Sequence, residues 1–425
     1  MTDCGRLSRF GRTVCLLIVI GPTTGIRPVA AEDAPQCPKR VAAVVTEYRH
    51  NSHADVICSR LFQTQTLDDK GERLQMQLVS VYTDQRPDND TSRKWAQQYQ
   101  FRISETVADA LTLGTDQLAV DGILLVAEHG NYPRSESGQT IYPKRRLFTA
   151  ITDVLRQQKK SVPIFIDKHL ADNWEDARFI YDTARELKIP LMAGSSLPNS
   201  WRDPQIDVRR HARLKQIVGC SYGGLDSYGF HGLEIMQALA ERRLGGETGV
   251  SAVKSLSGQA VWEAAAQGVY DPELLRVTLS RLKRPPAADK KLSDLVREPV
   301  LFVVDYRDGL RVCLFTLNGA VSEWAGAWRY ADESVESANF LVQESRPFMH
   351  FAWLVAGVDR MLQTGTPTWS VERTLLTSGT LDALLISLRD QNRQVATPYL
   401  NVTYENPWNW KQPPPAPPDR PAEGQ

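Results

Sequence analysis

The chain carries no excess of either charge: 50 Lys and Arg balance 50 Asp and Glu over 425 residues. Without a net positive field nothing draws it to nucleic acid or to an anionic membrane surface, so neither partner is expected. Long apolar runs are also missing. The run at residues 13–20 (TVCLLIVI) falls far short of the roughly 20 residues needed to cross a bilayer, and no later stretch is better suited, so no membrane span is expected. Cysteine is sparse, 6 in all, and no C-x-x-C pair occurs, which removes zinc knuckles and thiol redox motifs from consideration.

What is present is an ordinary globular balance, 42% hydrophobic and 24% charged, in a chain long enough for two sizeable cores. Residues 1–31 read as a secretory signal peptide: Arg6, Arg9 and Arg12 precede the apolar run, and Val29-Ala30-Ala31 offers a small-residue cleavage site. A periplasmic or secreted protein is therefore expected. Export leaves Cys37, Cys58, Cys220 and Cys313, for which disulfides and buried free thiols both stay open.

Hydrophobic periodicity predicts strands near residues 40–45, 74–82, 120–126, 162–166 and 190–194, with helices between them. Strands alternating with helices predict a parallel, doubly wound, Rossmann-like sheet over residues 38–198. Ser52 reads as the cap of the first helix, with Asp55 three residues on. Beyond residue 198 helical and strand-like stretches mix, predicting a second α+β domain over 199–404. The proline-rich residues 405–425 read as an extended tail.

Several motifs follow one another in order. Asp84 ends the second strand, and Val120-Asp121-Gly122-Ile123 opens the third. Asp167-Lys168-His169-Leu170-Ala171 follows the fourth strand, Tyr228-Gly229-Phe230-His231-Gly232-Leu233-Glu234 opens a helix, and residues 366–373 (TPTWSVER) precede another. In this order they resemble the Gfo/Idh/MocA oxidoreductases. The resemblance implies an N-terminal dinucleotide-binding domain, a C-terminal domain on a large open sheet that commonly mediates homo-oligomers, and NAD or NADP as cofactor. It further implies Lys168 and His231 as the catalytic pair beside a sugar or polyol. Asp84 would lie at the adenosine ribose, with Ser52 and His129 as further cofactor contacts.

The first turn departs from that pattern. A pyrophosphate is usually reached by backbone amides in G-x-G-x-x-G, but residues 46–52 (TEYRHNS) contain no glycine. Ser227 stands four residues before His231, where the family has Asp, and His169 replaces the proline after Lys168. Two functions stay open: an exported NAD(P)-dependent oxidoreductase acting on a carbohydrate or polyol, or a non-catalytic small-molecule binder with a lost cofactor site. A third, metal-assisted hydrolysis or elimination, draws on His50, His53 and Asp55 but lacks further ligands, and no metal is expected. The long loop at residues 128–146 has aromatic rings suited to a carbohydrate, and its Lys144-Arg145-Arg146 triplet suits an anion or a solvated face. Trp324, Trp328, Trp353 and Trp369 read as packing.

Overall fold

The structure, a computed structural model, describes residues Cys37–Asp419. The signal-peptide segment therefore lies outside the described residues. The first sheet is built from β1 (Lys39–Val45), β2 (Met76–Thr83), β3 (Arg102–Ser104), β4 (Gly122–Val126), β5 (Ile164–Asp167) and β6 (Leu191–Gly194). Every pairing is parallel, and the order is β3-β2-β1-β4-β5-β6. Strand β1 sits between β2 and β4, which is why Val41 through Val45 form an unbroken apolar run with no solvent exposure. The order reverses across β1 and β4, and such a switch point opens a crevice at the carboxyl ends of the strands.

Helices α1 (His53–Cys58), α2 (Ser92–Tyr99), α3 (Val107–Thr112), α4 (Lys144–Gln158) and α5 (Trp174–Glu186) make the connections. Ser52 is the α1 cap, as its position predicts: its hydroxyl accepts from the Asp55 amide, while Asp55 accepts from the Asn51 amide. Ser52→Ala is expected to lower stability by about 1 kcal/mol in urea unfolding, the usual worth of such a cap.

The second sheet contains β7 (Trp201–Asp203), β8 (Leu214–Ser221), β9 (Val250–Ser257), β10 (Val300–Tyr306), β11 (Arg311–Thr316), β12 (Trp324–Tyr330), β13 (Val335–Leu341) and β14 (Val395–Ala396). It is an open, mixed sheet in the order β14-β9-β10-β11-β8-β12-β13-β7, parallel only between β8 and β11. Its helices are α6 (Tyr228–Ala240), α7 (Gln259–Glu263), α8 (Pro272–Ser280), α9 (Leu292–Leu295), α10 (Met349–Thr364) and α11 (Glu372–Arg389). Alternate residues of β11 face opposite ways: Val312 and Leu314 join the core with α6 and α11, whereas Cys313 and Phe315 join α7 and α8. At β11 both faces of the open sheet are thus covered by helices of the chain itself.

Helix α10 returns to the first sheet, where Leu354, Val355 and Val358 pack with Val41, Val45 and Phe165. Helix α11 bridges the two halves, touching α5, α6 and β9. Residues 405–419 form neither helix nor strand and are docked: Trp201 Nε1 donates to the Pro414 carbonyl (2.7 Å) and Trp410 Nε1 to the Ser200 carbonyl (2.9 Å). Cys37, Cys58, Cys220 and Cys313 are free thiols, the last three buried. No helix among the described residues is long and apolar enough to cross a membrane.

Candidate functional site

A cavity of about 390 Å³ opens at the carboxyl ends of β1, β4 and β5, closed on its far side by α6 and by the segment leading into α10. Lys168 and His231 both line it, although they are far apart in sequence. Lys168 is placed by the end of β5 and is only 3% exposed. Its ammonium donates to Glu128 Oε2 (3.1 Å), and the buried Lys144 ammonium donates to Glu128 Oε1 (3.3 Å) and to the carbonyls of Asp167 and His169. Burial alone drives a carboxyl pKa up, but Lys168, then Lys144 and His169, overcome it and hold Glu128 far below the usual range. Burial also pulls the Lys168 ammonium down, and Glu128 with Asp167 reverses this, leaving it raised. Lys144 ends up lowered, because burial outweighs Glu128 there. Lys168 is therefore the ammonium that pairs most fully with Glu128.

His231, in the first turn of α6, pairs its Nδ1 with Ser195 Oγ at 2.6 Å. Burial and then Lys168 push its pKa well below the ordinary imidazole value, so it is neutral at pH 7. Burial does the same to His129 and His350, each lowered to about 3. The cavity thus presents neutral imidazoles beside one compensated ammonium. Tyr228 stacks on Trp324 at its wall, with ring centroids 5.4 Å apart. Trp324 is therefore a cavity wall as well as a packing residue. Trp328 and Trp369 are buried packing, as expected from the sequence.

His53 and Asp55 part company. His53 Nδ1 meets Asp167 Oδ2 at 2.5 Å, whereas Asp55 is spent on the Asn51 amide, Ser59 Oγ and Arg346. His50 approaches Asp55 only to 3.9 Å. These side chains do not converge on a common point, and no cluster able to hold a metal occurs among the described residues.

Of the residues proposed for a cofactor, Asp84 and Ser52 are engaged with the protein itself. The Asp84 carboxylate accepts from Arg146 Nη2 at 2.7 Å to both oxygens, from Tyr132 Oη (2.7 Å) and from Tyr82 Oη (3.1 Å). Burial raises its pKa, but the bonds from Arg146 and Tyr132 outweigh this and lower it overall. Gln85 clasps the same loop through both the amide and the carbonyl of Asn131. Ser52 is fully buried as the helix cap. His129 lines the cavity rather than the ribose edge, packed edge-on to His53 at 5.1 Å. The basic triplet is split: Lys144 is buried on Glu128, whereas Arg145 and Arg146 are exposed at the surface and pair there with Asp176 and Asp84.

No protein-family model matches the chain, and no curated protein matches it in sequence. Solved structures do match in shape. An apo scyllo-inositol dehydrogenase from Lactobacillus casei superposes with a TM-score of 0.53 at 9% identity, over 85% of this chain and 98% of that one. GenD2 from gentamicin A biosynthesis, in complex with NAD, gives a TM-score of 0.54 at 14% identity, over 88% and 99%. A myo-inositol 2-dehydrogenase from Lactobacillus plantarum gives 0.52 at 10% identity, over 84% and 99%. The fold is that of the Gfo/Idh/MocA oxidoreductases. Within it, this chain's switch point is filled from inside. Tyr48 is fully buried in the turn after β1, and Glu47 there pairs with Arg49 at 2.6 Å. The Asn51 and Asp55 amides at the start of α1 are satisfied by side chains. An NAD or NADP bound in the usual way needs those amides and a free Asp84, so the residues present do not fit it.

Glu128, Asp167 and His350 are site residues that the sequence reading did not single out. A carboxylate at or just beyond the carboxyl end of a fully buried parallel strand is the available signal for Glu128 and Asp167. Nothing local marks His350, which reaches the cavity from α10.

Proposed function

We propose that the chain binds an uncharged polyol or sugar in the cavity between Lys168 and His231, and that its own side chains have closed the dinucleotide site. The observation that carries this reading is the contrast between an intact polar cavity and an Asp84 already bonded to Arg146 and Tyr132. Charge selects the ligand class. Lys168 is balanced by Glu128, the imidazoles of His129, His231 and His350 are neutral, and Glu344 adds a carboxylate, so an anionic ligand gains little. Neutral imidazoles and an ammonium instead suit several hydroxyls, and the Tyr228–Trp324 wall suits a ring face. The similar structures include dehydrogenases named for inositols, which supports a polyol. Export to the periplasm or medium is part of the proposal, resting on residues 1–31, and sequencing the mature N-terminus checks it.

Calorimetry with myo-inositol, scyllo-inositol and common hexoses tests the binding. Saturable heat is expected with at least one polyol, weakened about 10- to 100-fold by His231→Gln or Lys168→Met through loss of one polar contact each. Unchanged affinity in both folded variants removes this cavity as the site. A second reading, polyol oxidation with NAD(P), is favoured by Lys168 and His231 facing one cavity and by the NAD-bound relative in shape. It requires the clasp on Asp84 to open.

A further inference from the structure

A His–Asp pair inside the cavity is used by neither reading. His53 Nδ1 lies 2.5 Å from Asp167 Oδ2, and the Asp167 side chain is 1% exposed. The ring is held edge-on between His129 and Phe351, with centroids 5.1 Å and 5.0 Å away. Its Nε2 has no hydrogen-bond partner among the described residues, and His53 lines the cavity together with Lys168 and Tyr142. A carboxylate on Nδ1 fixes the tautomer that leaves a lone pair on Nε2 and stabilises the imidazolium once that nitrogen takes a proton. Asp167 and Lys168 are adjacent residues at the end of β5, so a single strand end positions both the partner of the base and an ammonium.

We infer that His53, positioned by Asp167, is a general base in this cavity, and that the chain catalyses redox-neutral proton transfer on a ketone-bearing polyol. The inference rests on the polyol-binding reading above. His53 Nε2 removes the proton from the carbon beside the ketone. The C–H electron pair becomes the C=C bond of an enolate, and the carbonyl π pair moves onto oxygen, where the Lys168 ammonium donates to it. Return of a proton, or of a deuteron taken up from solvent, from His53 to the same face of that carbon gives back the ketone with retained configuration. Electrons balance without an oxidant, so no dinucleotide is called for. His53 is the catalytic residue and Asp167 a positioning residue.

The test uses 2-keto-myo-inositol and D-fructose as probes with the full mature chain in D2O, following the proton beside the ketone by NMR and binding by calorimetry. Exchange with the wild type at least about 100-fold above buffer is expected, abolished in His53→Gln and lowered about 10- to 100-fold in Asp167→Asn, with probe affinity within about threefold of wild type in Asp167→Asn. Should His53→Gln not fold, Asp167→Asn read as rate against affinity decides. Binding of a probe without exchange in the wild type overturns the inference and leaves the binding reading standing, as does exchange that survives both substitutions. Failure to bind these probes or any polyol overturns both.

Discussion

Replacing Glu128 by glutamine is expected to lower stability by about 3–5 kcal/mol, because it leaves a buried charge without its partner. Lys168 and Lys144 converge on this carboxylate at 3.1 Å and 3.3 Å, all with side chains 5% exposed or less. Lys144 keeps the carbonyls of Asp167 and His169, so most of the loss falls on Lys168. Adding Lys168→Met to Glu128→Gln should therefore recover a large part of the deficit, a coupling that a double-mutant cycle in urea reads directly. The same group sets an acid limit. The Glu128 carboxyl is lowered by folding, so its contribution is complete above its unfolded value of 4.5 and is lost as pH falls toward the folded one. Wild type should lose stability steeply with acid below about pH 4.5, and Glu128→Gln should show a shallower slope there. A loss under about 1 kcal/mol in the single variant contradicts the account of this cluster.

NAD+ and NADP+ are expected to bind no more tightly than about 1 mM, whereas GenD2, similar in shape, forms a complex with NAD. To lie across the switch point a dinucleotide has to take Arg146 and Tyr132 from Asp84 and release the Asn51 amide from Asp55. Hydrogen bonds to charged groups are worth about 1.5–3 kcal/mol each, so losing three weakens a micromolar site by roughly three to six powers of ten. Calorimetric titration of the purified chain checks this. Micromolar affinity for either dinucleotide shows that the clasp opens readily, and the oxidoreductase reading then takes precedence.

The parts of this molecule visible in the sequence are those set by local pattern. The apolar run of β1 announced a strand buried on both faces, Ser52 announced a helix start, and the order of motifs placed Lys168 and His231 at one cavity. The absent glycines in residues 46–52 were likewise legible, since a missing residue type removes a backbone conformation wherever the chain folds. What stayed hidden depends on residues that meet only in three dimensions. His53 reads as a metal ligand beside His50 and Asp55, yet its partner Asp167 comes from another strand. Arg146 reads as one of a surface triplet, yet α4 delivers it onto Asp84. Trp324 gives no local sign that it walls a cavity, because that depends on Tyr228 arriving from α6.

The most direct test of the central claim, an intact polyol cavity beside a closed dinucleotide site, is mass spectrometry of the small molecules released when the native purified chain is denatured. The account predicts no NAD or NADP, and a polyol or sugar, if any ligand is carried through purification. Dinucleotide released at one equivalent per chain contradicts it.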